Sequence, residues 1–545
     1  MDAMPDTNIS VFTAALLLVL SLIYIVWVSR PAKLSRYVPG PPSPSWVAGH
    51  IVDIWRNQKQ SGDLEFSWFR KYGATIKIKG TFGTDILMTS DPKALQHIIH
   101  TSNYRFQKSE EIIVSVLRPS TGNGILSVQG TTHQRHRKVF SPTFAETQVR
   151  GFLPLFQRIG KELTSEMIDA MDDRSEQVFN MHRWLGRASL DIIGEAAFGH
   201  RFNSLQNENC EMSVILYHLL DNASAMSKPL RVVIWALVTF PTLQGLLQYS
   251  PHFFEFHRTI LKFQEIAKGI ASKIVDDAKT SQSTAMHTVE GKDVLSILVR
   301  ANQSDDPTRR LDSEEVLSQA ATLLSAGQET SASTLAWVFY ELSSKPDIQA
   351  KIRTEIAEAR AHRCDEELTT QDYDGMYTLN AVIKETLRMY PILGKISRQA
   401  VVDEIIPLSE PIFTADGGSI DAIPVQKGQL IECAIHGYNR NPAVWGPDAD
   451  VWRPERWGEQ LDKNIPLGLF GNLLTFSGGV RGCIGWRFAV TEMQTVAAEL
   501  LEKFHFGPSE DLKDVRRWPG FLLTPRLAGR LHEGAQMPLT VAPLE

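Results

Sequence analysis

The stretch Phe476-Ser-Gly-Gly-Val-Arg-Gly-Cys-Ile-Gly485 places a single cysteine inside a cluster of glycines beside an arginine. A thiolate is a soft, anionic metal ligand, and as the axial ligand of a haem iron it favours O–O cleavage. Glycines such as Gly478 and Gly479 allow the close backbone approach that points amide N–H groups at a sulfur. The apolar stretch Trp486 to Leu501 predicts a helix, whose positive N-terminus stabilises a thiolate at Cys483. The loop is therefore typical of a cysteine that binds a metal.

Five residues of this loop stand at the spacing F-x-x-G-x-R-x-C-x-G: Phe476, Gly479, Arg481, Cys483 and Gly485. This spacing resembles the haem-binding signature of the cytochrome P-450 family. The resemblance implies that Cys483 is the axial ligand of the iron of haem b, which is iron protoporphyrin IX. It also implies that the other four residues contact the cofactor.

The composition excludes several other classes of protein. The chain has 545 residues, a formal net charge of −6 and dispersed basic residues, so nucleic-acid binding is not expected. No internal repeat or long polar linker divides the chain, which predicts a single catalytic domain. The cysteines show no pairing pattern, which indicates a reducing compartment. Three of them are interpreted as ordinary small hydrophobic residues: Cys210, Cys364 and Cys433.

The N-terminus carries an uncharged apolar run from Val11 to Val28, which is long enough for a transmembrane helix. Arg30 and Lys33 follow the run, so the positive-inside rule predicts that the rest of the chain faces the cytosol. A cleaved signal peptide is the alternative, although its apolar core is usually shorter. We therefore expect three parts: a membrane anchor at residues 1–29, a basic and proline-rich hinge at 30–45, and a catalytic domain at 46–545.

The remaining sequence predicts a mainly α fold with a minor β part, an α+β class. The segment Ala74 to Asp91 combines β-leaning residues with turn glycines and predicts a short antiparallel sheet. A second strand-rich patch is expected from Ile405 to Cys433. The longest predicted helix runs from Asp312 to Ser344, and Asp312 has capping-box spacing to Glu315. This pattern agrees with the cytochrome P-450 fold that the resemblance implies.

The segment Ala326-Gly-Gln-Glu-Thr-Ser331 lies in the middle of that helix, between apolar flanks. Ala326 and Gly327 allow a flat cofactor to approach the backbone, while Glu329 and Thr330 are suited to proton transfer. Packing residues or a kink are the alternative interpretation. The segment is similar to the A-G-x-E-T-S oxygen-activation motif of the family. That resemblance implies catalytic roles for Glu329 and Thr330.

Glu385 and Arg388 lie three residues apart on one face of a predicted helix that ends before Pro391. On an exposed helix such a pair is a surface ion pair with little effect on stability. The later segment Val451 to Trp457 resembles the P-E-R-W segment of the family, whose arginine packs against the E-x-x-R pair. The resemblance implies that Arg456 joins the pair in a buried structural triad, which holds the cysteine loop.

Haem carries two propionates, and cations or hydrogen-bond donors are expected to contact them. The segment from His133 to Arg137 lies where the family has W-x-x-x-R, so Arg137 matches and His133 replaces the tryptophan. A histidine can still donate to a carboxylate, and His133 is therefore a candidate donor. Arg398 and Arg481 are the other predicted contacts.

We expect a haem-thiolate monooxygenase that transfers one atom of dioxygen to a lipophilic small molecule. The chain has no G-x-G-x-x-G motif or P-loop, so it is not expected to bind NADPH itself. The resemblance implies electron supply by NADPH–cytochrome P-450 reductase at the endoplasmic reticulum membrane. Arg135, Lys138 and Arg487 are interpreted either as cations that dock this partner or as solvated surface charges.

The segment from Pro229 to Phe254 is too short and interrupted for a second membrane span. It predicts either a lid that dips into the bilayer or ordinary helical core. The lid would favour a lipophilic substrate, with a terpenoid of secondary metabolism preferred over sterols, fatty acids and aromatic hydrocarbons. Two other functions remain open: a reductase-independent haem-thiolate isomerase or dehydratase, and a non-catalytic haem sensor. Isomerases tend to lose the acid and hydroxyl found at Glu329 and Thr330, and a sensor needs neither.

Overall fold

The computed structural model describes residues 34, 37–56, 58–172, 175–225, 251–283, 293–302, 310–364, 366–413, 417–459, 466–520 and 522–544. The predicted anchor at residues 1–29 lies outside these ranges, as do residues 229–250 of the predicted lid and part of the predicted hinge. Within the described ranges, no helix is both long enough and apolar enough to cross a membrane.

Helices contain far more of the described residues than strands do, which confirms the mainly α prediction. Those of eight residues or more are α1 (Asp63–Tyr72), α2 (Gly130–Phe140), α3 (Glu146–Asp169), α4 (Met181–Phe198), α5 (Glu211–Ala225), α6 (Pro251–Ser283), α7 (Val294–Ala301), α8 (Ser313–Ser343), α9 (Pro346–His362), α10 (Tyr377–Met389) and α11 (Trp486–Lys503). Shorter α-helices lie at Ile51–Arg56, Pro92–Gln96, Glu110–Ile112, Arg118–Thr121, Thr370–Gly375, Ile435–Asn439 and Pro442–Trp445.

The strands of the described chain form small sheets. In chain order they are β1 (Thr75–Lys79), β2 (Asp85–Thr89), β3 (Phe106–Gln107), β4 (Gln177–Asn180), β5 (Ile396–Ala400), β6 (Glu404–Phe413), β7 (Ser419–Val425), β8 (Leu430–Cys433), β9 (Phe504–Pro508), β10 (Val515–Trp518), β11 (Thr524–Leu527) and β12 (Pro538–Pro543). The largest sheet has the order β1-β2-β8-β5-β3, in which only β2 and β8 are parallel. The others have the orders β4-β12-β9, β6-β7 and β10-β11.

Both predicted strand regions are present. Strands β1 and β2 pair antiparallel with Thr75 opposite Thr89, as the segment Ala74 to Asp91 predicts. Strands β6, β7 and β8 occupy the second predicted patch. The sequence did not predict the strands after α11. One of them, β12, pairs with the distant β4 through Val541 and Gln177, and such long-range pairing leaves little local signal.

Helix α8 begins and ends where the sequence predicts. The side chain of Asp312 accepts from the Glu315 N–H at 2.8 Å, and the Glu315 carboxylate accepts from the Asp312 N–H at 2.9 Å. This reciprocal capping box satisfies two backbone donors at the start of the helix. The helix stops at Ser343, and α9 starts at Pro346. Along its length α8 packs against α4 and α11, so it lies at the centre of the fold.

The hydrophobic core is one continuous cluster that reaches from Leu34 to Val541 and includes the buried faces of α4, α8 and α11. Trp337 and Phe339 of α8 are among its largest fully buried side chains. A smaller cluster lies between α1 and strands β1 and β2. The helix that carries the Ala326–Ser331 segment is therefore fixed by packing along most of its length.

Candidate functional site

The loop before Cys483 is tight and depends on its glycines. The Cys483 N–H donates to the Phe476 carbonyl at 2.8 Å and closes the loop. Gly479 has a φ of 59°, and a Cβ there would lie 2.0 Å from the Ile99 carbonyl oxygen. A Cβ at Gly478 would lie 2.4 Å from a neighbouring backbone oxygen. A side chain at either glycine would thus collide with neighbouring backbone atoms. This is a second reason for glycine, beside the close approach of amide N–H groups to the sulfur that the sequence predicts.

Cys483 has an exposed side chain, yet burial is the largest cause of a raised pKa of its thiol. A backbone hydrogen bond from Gly485, and then the charge of Arg137, act to lower the same pKa. Helix α11 begins at Trp486, with Gly485 at its N-cap. The predicted stabilisation of a thiolate by an amide N–H and a helix N-terminus therefore has its groups in place.

The middle of α8 presents a short accessible strip. Ala326 is exposed, and Gly327 and Thr330 are partly exposed, in a helix that is otherwise mostly buried. The Thr330 hydroxyl donates to the Ala326 carbonyl at 2.7 Å. A Cβ at Gly327 would lie 2.7 Å from Cδ1 of Ile193. Close packing of α8 against α4 thus accounts for Gly327, while contact of Ala326 and Gly327 with a cofactor stays a prediction.

Glu329 is buried and points away from that strip. Its Oε1 lies 3.0 Å from His182 Nε2 and accepts from the Ser333 hydroxyl at 2.9 Å. The carboxylate and the Thr330 hydroxyl, although adjacent in sequence, therefore have separate hydrogen-bond partners. His182 has no signal in the sequence, because it lies far from Glu329 along the chain and belongs to no spaced motif.

A second buried carboxyl group lies beside the same segment. Glu492 of α11 accepts from the Ser331 hydroxyl at 2.7 Å and from the Ser189 hydroxyl at 2.8 Å. Burial raises the pKa of Glu492 to about 7, and the two serine hydrogen bonds oppose the shift. The sequence gives only a weak signal for Glu492, which is one of two acids in the largely apolar stretch Trp486 to Leu501.

Four basic side chains lie close enough to influence one another near the cysteine loop: Lys108, Arg137, Arg398 and Arg481. Burial is the main cause of a lowered pKa in all four, with Lys108 reaching about 7 and Arg481 about 10. The charges of Arg481 and Arg398 lower the pKa of Lys108 further. Among the described groups that shift the pKa of Lys108, Arg137 or Arg481, none is a carboxylate.

Buried positive charge without a counter-ion is unfavourable, so this group of side chains calls for an anion. Arg481 donates to the Val128 carbonyl at 3.0 Å through Nη1, but its buried Nη2 has no hydrogen-bond partner among the described residues. Lys108 donates to the Leu126 carbonyl at 2.6 Å and has further donors to offer. The two carboxylates of haem would supply both the charge and the acceptors. The donor set therefore fits haem, and it includes Lys108, which has no sequence signal.

His133 lies beside these cations. Its Nδ1 is 2.8 Å from the Tyr104 hydroxyl, and its side chain is buried. Burial lowers the pKa of His133 to about 2, and the charges of Arg481 and Lys108 add to the effect. The imidazole is therefore neutral and retains one N–H to donate. Its contact with a propionate stays a prediction.

The three residues of the predicted triad lie together and are fully buried. Arg388 Nη2 and Arg456 Nε contact Glu385 Oε1 at 2.8 and 3.0 Å. Arg388 Nη1 also donates to the Asn439 carbonyl at 2.8 Å. The side chain of Asn439 in turn accepts from the Leu474 N–H at 3.1 Å, just before the cysteine loop. The triad is thus connected to the start of that loop through a single residue.

The cations considered for partner docking differ in their surroundings. Arg135 forms a two-point contact with Glu315, at 2.6 and 2.7 Å, so this side chain is committed within the chain. Lys138 is exposed. Arg487 is also exposed, and its guanidinium lies 4.2 Å from the centre of the Trp486 ring. The interpretation of Arg135 as a free docking cation is therefore wrong, and Lys138 and Arg487 remain candidates.

Comparison with known proteins gives a family match that is consistent with the cysteine loop, the accessible strip of α8 and the cation group. The family model of cytochrome P-450 matches residues 39–529. The chain belongs to the cytochrome P-450 family. Cytochrome P-450 monooxygenase 91 of Postia placenta is 33% identical over 513 residues, which cover 89% of this chain and 92% of that protein. Cytochrome P-450 monooxygenase claO of Ampulloclitocybe clavipes is 29% identical over 554 residues, which cover 99% and 100%.

This membership confirms several expectations from the sequence. The protein is a cytochrome P-450 monooxygenase and hence an oxidoreductase. Its cofactor is haem b, as in other members of the family. A cytochrome P-450 monooxygenase uses dioxygen, a lipophilic substrate and a redox partner.

Proposed function

We propose that this cytochrome P-450 is held at the endoplasmic reticulum membrane by residues 1–29, with its catalytic domain in the cytosol. There it hydroxylates or epoxidises a lipophilic small molecule with electrons from NADPH–cytochrome P-450 reductase. The apolar run Val11 to Val28 and the basic residues after it support the anchor. The absence of a dinucleotide-binding motif from the sequence supports electron supply by a separate protein. Lys138 and Arg487 are the exposed cations proposed to meet that partner.

The observation that carries the proposal is the position of Cys483 just before α11, near the cations Lys108, Arg137 and Arg481, whose pKa values no described carboxylate shifts. We assign Cys483 as the axial ligand of the haem iron. Haem, when bound, supplies the activation of dioxygen and the transfer of one oxygen atom. Burial raises the pKa of the Cys483 thiol, while the Gly485 N–H, the α11 N-terminus and the nearby charge of Arg137 favour the thiolate that would bind the iron. Phe476, Gly479 and Gly485 shape the loop around it.

The haem propionates are assigned to the cation group. Arg137, Arg398 and Arg481 were expected from the sequence, and the geometry adds Lys108 to them. Charge-assisted hydrogen bonds of this kind are stronger than neutral ones and fix orientation. Two carboxylates placed among these side chains would offset the burial, and the weaker mutual repulsion, that lower the pKa of Lys108 and Arg481. His133 is proposed as a neutral donor beside them.

Glu329 and Thr330 are proposed to deliver the protons that the reaction consumes. The Thr330 hydroxyl is on the accessible strip of α8, where it is already held by the Ala326 carbonyl. A hydroxyl can accept a proton on one side while it donates on the other, so Thr330 can pass a proton from Glu329 to the reacting oxygen. A packing threonine would not need to face accessible space.

The substrate is proposed to be lipophilic and to enter from the membrane. The apolar segment Pro229 to Phe254, which lies mostly outside the described residues, supports a lid beside the bilayer. The similar proteins include monooxygenases of the fungi Postia placenta and Ampulloclitocybe clavipes. A terpenoid of secondary metabolism is the substrate class to test first.

The test uses the full-length protein with reductase, NADPH and a library of fungal lipid extracts. We expect reduced protein with carbon monoxide to show the red-shifted Soret band of thiolate-ligated haem. We also expect NADPH-dependent oxygenated products with at least one extract. Cys483→Ala removes the band and the products, whereas Cys364→Ala, at an exposed cysteine, retains both. An unchanged band in Cys483→Ala contradicts the ligand assignment, and product formation without NADPH or reductase contradicts the proposed electron supply.

A further inference from the structure

His182 makes a buried contact with the proposed proton donor Glu329. It lies in the first turn of α4, where its side chain is buried. His182 Nε2 is 3.0 Å from Glu329 Oε1 and 3.0 Å from Ser333 Oγ. The Ser333 hydroxyl donates to the same carboxylate oxygen at 2.9 Å. Two polar groups, one from α4 and one from α8, therefore meet at a single oxygen of Glu329.

The chemistry of this contact fixes the direction of its hydrogen bonds. A carboxylate can only accept, and the hydroxyl hydrogen of Ser333 is already directed at Glu329. His182 Nε2 must therefore carry a hydrogen and donate it to the carboxylate. A buried carboxylate is costly without such donors. The contact thus orients Glu329 as well as stabilising it.

That orientation separates Glu329 from the accessible strip. Successive residues of an α-helix differ by about 100° around its axis, because a turn takes 3.6 residues. Glu329 points at His182 on α4, while Thr330 is partly exposed and bonds back to Ala326. Glu329 can approach the Thr330 hydroxyl only by releasing His182 and Ser333. The starting point of proton delivery is therefore set by a residue outside the oxygen-activation motif.

We propose that His182 is a positioning residue for proton delivery in this enzyme. It holds the Glu329 carboxylate in one orientation, from which Glu329 turns to Thr330 in each reaction cycle. The inference rests on the proposed roles of Glu329 and Thr330. Loss of His182 leaves Ser333 as the remaining donor of the pair, so the carboxylate takes other orientations and fewer reducing equivalents reach product.

The experiment compares His182→Ala and His182→Gln in the full-length, haem-loaded protein. The glutamine side chain places an Nε2–H donor near the position of the histidine donor, whereas alanine removes it. With reductase, NADPH and a mixture of sesquiterpene hydrocarbons as the probe, we measure hydrogen peroxide released per NADPH consumed. His182→Ala is expected to raise this ratio several-fold above wild type, and His182→Gln to restore most of the difference. His200→Ala is the control, because His200 is an exposed histidine that follows the same helix.

A second readout does not depend on turnover. Infrared difference spectra identify the Glu329 carboxylate band by its loss in Glu329→Gln. We expect this band to shift in His182→Ala, where a donor is missing, and to keep its position in His182→Gln and His200→Ala. An unshifted band in His182→Ala, or the same peroxide ratio as wild type, overturns the inference.

The same set of variants separates this inference from the proposed function. If Glu329→Gln leaves the peroxide ratio unchanged, Glu329 does not deliver protons, and both proposals fail. If Glu329→Gln raises the ratio and His182→Ala does not, only the positioning role of His182 fails. If His182→Ala does not fold, His182→Phe takes its place, because phenylalanine fills the same buried space and has no donor for Glu329. A Glu329 carboxylate band and a peroxide ratio that match wild type in His182→Phe overturn the inference.

Discussion

The Ser331 hydroxyl donates to Glu492 Oε2 at 2.7 Å, and this bond joins the oxygen-activation segment of α8 to the helix that begins just after Cys483. Ser189 of α4 donates to the other oxygen of the same carboxyl group at 2.8 Å. One side chain therefore links three helices of the core. Because Glu492 is buried and bonded on both oxygens, the segment on α8 and the cysteine helix are held in a fixed relation.

This carboxyl group makes stability depend on pH. Burial raises the pKa of Glu492 from 4.5 to about 7. Between these values the folded protein keeps a proton that the unfolded chain has lost. The stabilisation is therefore fully present below pH 4.5 and is lost as the pH rises through 7. Glu492→Gln removes this loss, which is about 3 kcal/mol at most. Melting temperatures at pH 5 and pH 8 are expected to diverge more in wild type than in Glu492→Gln.

The control for this prediction is Glu367→Gln, at an exposed residue that pairs with Lys161. It is expected to keep the pH dependence of wild type. A wild-type pH dependence in Glu492→Gln as well would show that the Glu492 carboxyl does not titrate in this range.

The triad predicts a large effect on folding from one substitution. Arg456→Ala leaves the buried carboxylate of Glu385 without one of its two arginines. Breaking a buried ion pair at one partner typically costs about 3 to 5 kcal/mol. We expect a lower melting temperature and less haem per protein, because the triad is connected to the cysteine loop through Asn439. Haem content and thermal unfolding measure both effects.

Arg150→Ala provides the matched control, since Arg150 pairs with Glu146 on the surface of α3. Removing an exposed pair of this kind costs about 0.5 kcal/mol or less. Equal losses of stability in Arg150→Ala and Arg456→Ala would contradict the structural role of the triad.

Lys108 is expected to retain haem. A charge-assisted hydrogen bond to a propionate contributes about 1.5 to 3 kcal/mol, and each 1.4 kcal/mol corresponds to a tenfold change in affinity. Lys108→Met keeps the length of the side chain and removes the charge. Haem transfer to apomyoglobin is expected to become about tenfold faster or more. Lys71→Met, at an exposed lysine of α1, is expected to transfer haem at the wild-type rate. Equal rates in the two variants would remove Lys108 from the cofactor site.

The parts of the fold that the sequence predicted are those with local signals. Asp312 and Glu315 stand three residues apart, and the structure shows their capping box and the start of α8 at Ser313. The cysteine loop was also recognisable, because its signature residues lie between Phe476 and Gly485 and the Cys483 N–H bonds the Phe476 carbonyl within it. The β-leaning residues and turn glycines of Ala74 to Asp91 likewise predicted β1 and β2. In each case the residues that interact are close along the chain.

The parts that could not be predicted depend on contacts between distant residues. His182 meets Glu329, and Lys108 lies near Arg481, only because the helices and sheets pack together. Arg135 was misread for the same reason, since its partner Glu315 belongs to the start of α8. A single residue that belongs to no sequence motif gives no sign of its role in the sequence, because that role depends on contacts that exist only in the folded structure.

The last prediction concerns the hydroxyl group of Thr330. If Glu329 and Thr330 deliver protons, Thr330→Ala keeps haem and continues to consume NADPH, but diverts reducing equivalents to hydrogen peroxide. General acid–base assistance typically contributes about 10² to 10⁴-fold, so the loss of product per NADPH is expected to be large unless an ordered water replaces the hydroxyl. Thr330→Ser retains a hydroxyl and is expected to retain most of the product.

Thr334 offers a matched control one turn along α8. Its hydroxyl donates to the Thr330 carbonyl at 2.8 Å, which is the same bond to the preceding turn that Thr330 makes with Ala326. Thr334, however, is buried in the core, whereas Thr330 is partly exposed on the accessible strip. Thr334→Ala therefore removes an equivalent helix contact and is expected to leave product per NADPH unchanged. If Thr330→Ala and Thr334→Ala give the same ratio as wild type, the Thr330 hydroxyl only bonds its own helix, and proton delivery must use another group.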